Sequence, residues 1–213
     1  MDYTTLIADK NTAGSIARWV NYGQLDVTQI LEEAQLLIYQ TLRVREMKVV
    51  GATIAVATGD LNVSLPSDFL DPINFRDNQN NRLLLKDEKS VLNARSLDTS
   101  GAWSQSAPYW YAIGSSTIEF DCAIASTSAG NYLFEYYGKP ALLGVSNTTN
   151  FLTSRYPTLL RTACLAQAAD FMKNWQAYEE YAQRLLAMIQ SVQTNDDLAF
   201  RGGEVAPDYS EAW

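Results

Sequence analysis

The chain has 213 residues, 47% of them apolar, and sets 16 basic against 24 acidic side chains for a net charge of −8 with no histidine. That length and apolar share are enough to bury a core as one domain, or as one domain carrying an insertion. The missing histidine removes the imidazole base, the imidazole metal ligand and any Ser–His–Asp arrangement, and the acid excess, with basic residues grouped only at Arg43, Arg45 and Lys48, argues against nucleic-acid affinity.

No apolar run approaches the length of a membrane span, and the first residues lack the basic and apolar regions of a signal peptide. The expectation is a protein made in the cytoplasm, left uncleaved and not inserted in a membrane. Cys122 and Cys164 lie far apart, which reads as two buried free thiols, and neither a metal nor a cofactor is expected.

In chain order, a first helical region begins near Gly14 and breaks at Tyr22 and Gly23. A second opens at Asp26 as N-cap, with Gln29 three positions on in imitation of a capping box. Its positions Ile30, Leu31, Ala34, Leu37, Ile38 and Thr41 share one inward face. Leu36 and Tyr39 fall on the back of that helix among Glu32, Gln35 and Arg43. They read either as ordinary exposed apolar side chains or as a subunit contact.

After Met47 the apolar period changes to two. Ile54 and Val56, a turn at 58–60, and Leu61, Val63 and Leu65 predict a hairpin closed by Pro66. A second strand pair is expected at 71–77 and 82–86, joined by the turn-tolerant run 78–81. Asp87 caps a short helix through Arg95, the stretch 96–107 around Trp103 reads as a surface loop, and strands follow at 108–114, 117–122 and 131–138.

Pro157 suits the first position of a helix running to about Lys173, whose alanines spread over several faces and so predict burial nearly all round. Asn174 caps the next helix, whose apolar arc from Trp175 through Tyr181, Leu185, Met188 and Ile189 to Val192 is wider than one packing partner requires. From Asn195 the periodicity stops. Residues 196–213 read as an extended tail, either a disordered terminus or a segment ordered on a partner through its aromatic residues.

Helices at both ends with strands between them give an α+β chain: a helical bundle from residues 1–46 and 146–195, a mostly antiparallel β-rich insertion at 47–145, and the tail at 196–213. Its chemistry is sparse. The acid pairs at Glu32 and Glu33, Asp87 and Glu88, Glu179 and Glu180, and Asp196 and Asp197 diverge around a helix rather than converge on a substrate. Glu119 and Asp121 share a strand face, as a glycosidase pair could, but such a spacing is more often a solvent face. The cluster of Tyr109, Trp110, Tyr111, Tyr132, Tyr136 and Tyr137 could form a stacking platform; more often alternate members pack in the core.

Several segments, in their order, carry a family likeness. They are the amphipathic helix ending near Tyr39 to Arg43, the strand end Leu65, Pro66, Ser67, Asp68 and Phe69, and the strand Pro108, Tyr109, Trp110 and Tyr111 with its partner Thr117, Ile118, Glu119 and Phe120. The strand end at Tyr136, Tyr137 and Pro140 follows, then Asn150, Phe151 and Leu152 leading to Tyr156, Pro157 and the alanine-rich helix. Together they resemble the head–tail adaptor, or connector, proteins of tailed phages over nearly the whole chain to about residue 193; the long 96–107 loop departs from that pattern. The resemblance implies a non-enzymatic virion protein at the neck: a homo-oligomeric ring, commonly dodecameric, docked on the portal, joined to a tail or nozzle protein, and letting DNA pass through its lumen without specific binding. On that reading Glu32, Leu36, Tyr39, Arg43, Tyr181 and Met188 are candidate subunit-interface residues, and Phe200, Arg201, Tyr209 and Trp213 a portal-binding tail. The alternative from another class is a monomeric carbohydrate-binding module using the aromatic strands.

Overall fold

The computed structural model describes residues 1–20, 25–99 and 106–200. In chain order its elements are α1 (Tyr3–Ile7), α2 (Ile16–Val20), α3 (Val27–Thr41), a 3-10 turn (Arg45–Met47), β1 (Lys48–Val56), β2 (Asn62–Ser64), β3 (Phe69–Arg76), β4 (Leu84–Leu85), α4 (Glu88–Thr99), β5 (Trp110–Ile113), β6 (Thr117–Phe120), β7 (Gly130–Gly138), α5 (Phe151–Arg155), α6 (Pro157–Phe171) and α7 (Trp175–Phe200). The chain is α+β and divides into two compact units: Met1–Glu46 with Pro140–Trp213, and Met47–Lys139. Residues 140–145, expected with the strands, thus group with the helices. Among the described residues no helix is long and apolar enough to cross a membrane.

Unit 1 forms around α6, which contacts α2, α3, α5 and α7. Pro157 occupies its first turn, where the missing N–H costs nothing. Ala163, Ala166, Ala168 and Ala169 are all buried, so neighbouring helices approach it from several sides. The inner face of α3 supplies Ile30, Leu31, Ala34 and Ile38 to this core. Asp26 caps α3 through the N–H of Gln29 at 3.0 Å. The reciprocal half of the anticipated box is not made, because the Gln29 amide instead donates to Glu33 at 2.8 Å. The full two-way box is at α5, where Asn150 and Thr153 cap each other.

The end of α7 corrects the sequence expectation. Residues Asp196 to Phe200 are not an extended tail but the last turn or so of a helix. Thr194, Asn195, Asp196 and Asp197 are weak helix formers with no apolar period, yet Asp196 is buried and its two oxygens accept from the backbone N–H and the Nε of Arg45 at 2.9 and 2.6 Å. Gln193 adds a bond to the Thr41 carbonyl at 2.9 Å. Arg155 and Glu46 form a further ion pair in this unit. Partners distant in the chain hold this turn, which local patterning does not reveal.

Unit 2 is built from two sheets, ordered β1-β7-β3 and β2-β6-β5-β4. Their facing side chains, Val56, Phe75, Tyr132, Phe134 and Tyr136 from one and Val63, Tyr111, Ile118 and Phe120 from the other, share one core. Every strand pairing is antiparallel except β4 with β5. Neither expected hairpin forms a lasting pair. Beyond the turn closed by Ala57 and Asp60, β1 pairs with β7 and β2 with β6. The turn at 77–81 is held by the Asp77 carboxylate, which accepts from Gln79 and Asn81, but pairing stops after the Arg76 and Arg82 bridge and the Leu83 bond to Phe75. Each turn reverses the chain and hands it to the other sheet.

Asp87 caps α4 as expected, accepting from the N–H of Ser90 at 2.9 Å and from its hydroxyl at 2.6 Å. The helix runs past Arg95 to Thr99, so 96–99 are not loop. Arg95 reaches the carbonyls of Leu61 and Phe120 and the Glu119 carboxylate, an anchor that keeps the helix going; Trp103 lies outside the described residues. Two of the segments that carried the family likeness meet here. The Tyr136 hydroxyl donates to Asp68 at 2.9 Å, and Gly138 packs so close that a Cβ would stand 2.8 Å from both the Asp68 carboxylate and a Val49 methyl.

Candidate interaction surfaces

An interaction surface is recognised by what it leaves uncovered, so each candidate is located by what touches it. On α3, Glu32 is exposed and Leu36 half-buried. Tyr39 is only 1% exposed. Its ring stacks on Phe151 at 6.1 Å and its hydroxyl accepts from Asn150 at 3.0 Å. Beside it, buried Gln35 accepts from the Leu143 N–H at 2.9 Å and the Asn150 amide at 3.3 Å and donates to the Leu31 carbonyl at 3.1 Å. The expectation that Tyr39 projects toward another chain is therefore corrected: the segment 143–151 folds over the back of α3 and takes that side chain into unit 1. Burial pushes its hydroxyl pKa well above the usual tyrosine range. Arg43 closes the same helix by donating to the carbonyls of Tyr39 and Leu42, a role compatible with its partial exposure.

On α7, Leu185 and Ile189 are buried, whereas Tyr181 and Met188 are half-buried. Met188 sulfur accepts from the Thr162 hydroxyl of α6 at 3.7 Å, so part of this side chain belongs to the helix contact within the unit. The large exposed apolar side chains lie elsewhere. Phe171, Met172 and Trp175 bracket the α6–α7 turn at 54, 38 and 60% exposure, and Leu186 stands at 54%. Trp175 and Leu186 fall within about 20° of each other around an ideal helix. Sequence reading placed Trp175 in the wide arc but passed over Phe171 and Met172. The available signal was two large apolar residues at the end of a helix whose buried positions are otherwise mostly small. Phe200 is the last residue of α7; its side chain, and Arg201, Tyr209 and Trp213, lie outside what is described.

In unit 2 the aromatic strands divide by alternation. Tyr111, Tyr132 and Tyr136 are core residues, Trp110 and Tyr137 are half-buried beneath Lys86 and Lys48 at 5.5 and 5.7 Å, and Tyr109 is exposed. These rings are not displayed together as a platform. Glu119 and Asp121 do not form a catalytic pair either: Glu119 is ion-paired with Arg95 at 2.9 Å, and buried Asp121 accepts from the backbone N–H groups of Trp110 and Tyr109 at 3.2 and 3.4 Å. What unit 2 does present is an open groove of about 600 Å³ floored by Phe69, Leu70, Pro72, Leu85 and Ile113. Both units thus offer uncovered apolar surface.

The model of the SU10 adaptor protein family matches residues 1–206 and so takes in both units. The chain belongs to the SU10 adaptor protein family. No curated protein sequence matches it. The family is one of phage head–tail adaptors, so this adaptor is a structural component of a virion that meets other virion components at the head–tail junction.

Proposed function

We propose that this adaptor assembles as a closed homo-oligomeric ring, a dodecamer by the family likeness, which docks on the portal, receives a tail or nozzle protein and leaves DNA a path through its lumen. The observation that carries this reading is the family match over residues 1–206. A ring is a head-to-tail assembly and needs two different complementary faces on each subunit. The side of α3 that carries exposed Glu32 and half-buried Leu36 and Arg43 is one candidate. The other is the outer arc of α7 at Tyr181 and Met188, extended by exposed Trp175 and Leu186. Phe200, Arg201, Tyr209 and Trp213 are proposed to attach to the portal, where large aromatic side chains anchor interfaces best. The net charge of −8 favours passage of DNA over capture, because duplex binding needs clustered cations to release counterions.

The test is to mix the purified adaptor with portal rings and weigh the product by native mass spectrometry. The expected mass is that of the portal plus a closed set of adaptor subunits. A portal mass left unchanged would sink the proposal. Leu186→Asp should lower the yield of complete rings while leaving the melting of the free protein unaltered, since a carboxylate is costly only where water is excluded.

A further inference from the structure

An unpaired sheet edge is a template for another strand, and proteins blunt such edges with bulges, proline or polar side chains. Among the described residues unit 2 has four edges: β1 and β3 in one sheet, β2 and β4 in the other. In β1 the register shifts between Val49 and Ala52 around Gly51, whose φ of +78 marks the distortion. β3 carries Pro72 and two register shifts. β2 is three residues long with exposed Asn62 and Ser64 at its ends. β4 is shorter still, at two residues, but carries no bulge, proline or polar side chain and exposes Leu84 and Leu85, at 52 and 51%.

The backbone of β4 has a direction. The N–H groups of Leu84 and Lys86 donate to the carbonyls of Tyr109 and Tyr111, each at 2.9 Å. By the alternation of a ladder, the N–H and C=O of Leu85 between them point away from β5, toward the free edge. Leu85 also lines the apolar groove, whose remaining wall includes the carboxylates of Glu88 and of Asp87, the α4 cap.

We propose that β4 receives an extended segment of a partner protein as an added strand, its backbone bonding Leu85, an apolar side chain seated in the groove, and a neighbouring Lys or Arg facing the carboxylates. This is strand addition, in which main-chain bonds supply affinity while the groove and its charge choose the sequence. The inference rests on unit 2 alone and stands whichever face of unit 1 joins subunits.

The probe is a short fluorescein-labelled peptide alternating valine and lysine, titrated into the full-length protein and read by anisotropy. Two control peptides carry glutamate in place of lysine, or N-methyl groups along one edge. The valine–lysine peptide should saturate, and weaken with added salt. Both controls should bind about tenfold more weakly, the loss of one or two hydrogen bonds or close charge contacts. Leu85→Pro removes the outward N–H together with the side chain that lines the groove, and should cost at least about fivefold. If that variant melts early, the N-methyl peptide on the native protein reads the strand pairing without it, and Glu88→Gln should flatten the salt dependence. Equal binding of the lysine and glutamate peptides, no binding of either, or undiminished binding to a natively melting Leu85→Pro protein overturns the proposal. So does sedimentation showing that β4 pairs two copies of this chain, with Leu85→Pro abolishing the dimer.

Discussion

The two units solve the problem of a core with different materials. In unit 2, Phe75 stands with Phe134 at 5.1 Å, Tyr111 at 5.2 Å and Tyr132 at 5.7 Å, large rings from both sheets. In unit 1 the central helix contributes alanines, and the geometry is set by polar ties such as Asn150 to Tyr39 and Gln35 and Asp196 to Arg45. Rings fill space without needing a partner at one angle. Small side chains let helices approach closely and leave their register to hydrogen bonds. Unit 2 should therefore be broken by lost volume, and unit 1 by a lost donor.

The largest expected effect is Phe75→Ala, a cavity in the ring cluster that should cost about 3–5 kcal/mol, read as a drop in urea midpoint. If loss of the ring costs under about 1 kcal/mol, the cluster is not what holds the sheets together. Next comes Asn150→Ala. It strips the α5 cap and leaves the Tyr39 hydroxyl and Gln35 carbonyl short of a donor, for about 2–3 kcal/mol. Asn150→Asp keeps the cap while removing the amide donors, so the difference between the two variants separates the cap from the buried ties.

A pH dependence sharpens the contrast from the side of unit 2. Burial first, then the hydrogen bond to Asp68 and that carboxylate's charge, push the Tyr136 hydroxyl up to about 12. Ionisation is disfavoured in the folded state, so this contribution is complete below the unfolded value near 10 and is lost as pH rises from there toward 12. Tyr136→Phe should make the alkaline decline of the urea midpoint less steep; an unchanged slope would show that Tyr136 does not contribute to it. The smallest effect belongs to the α6–α7 turn. Lys173 holds a left-handed φ of +55, and Lys173→Gly relieves it, raising stability by a few tenths to about 1 kcal/mol in thermal melts.

Much of this was legible where a residue acts on its neighbours. Asp26, Asp87 and Asn174 cap the helices that follow them, Pro157 opens α6, and alternate members of the aromatic cluster, Tyr132 and Tyr136, pack in the core. What was not legible depends on distant chain. A helical wheel gives the angle of Tyr39 but not the segment from 143 to 151 that covers it. Two-residue periodicity finds β1 and β2 but not that each pairs with a strand far along the sequence. Asp196 reads as the start of a tail because Arg45, which holds it, is 151 positions away. The exposed Phe171 and Met172 escaped for the opposite reason, since side chains left open at the end of α6 add nothing to an inward-facing pattern.

The split of unit 1 between the two ends of the chain also sets an order in time. Residues 47–139 are contiguous, so everything the two sheets need has been synthesised before the first residue of α6 is made. The stripe of Ile30, Leu31, Ala34 and Ile38 on α3 has emerged long before that, and its cover is more than a hundred residues late. Synthesis proceeds at roughly 5–20 residues per second, so every nascent copy carries a bare apolar helix face for seconds. On a polysome, those faces are the surfaces that neighbouring nascent chains meet first.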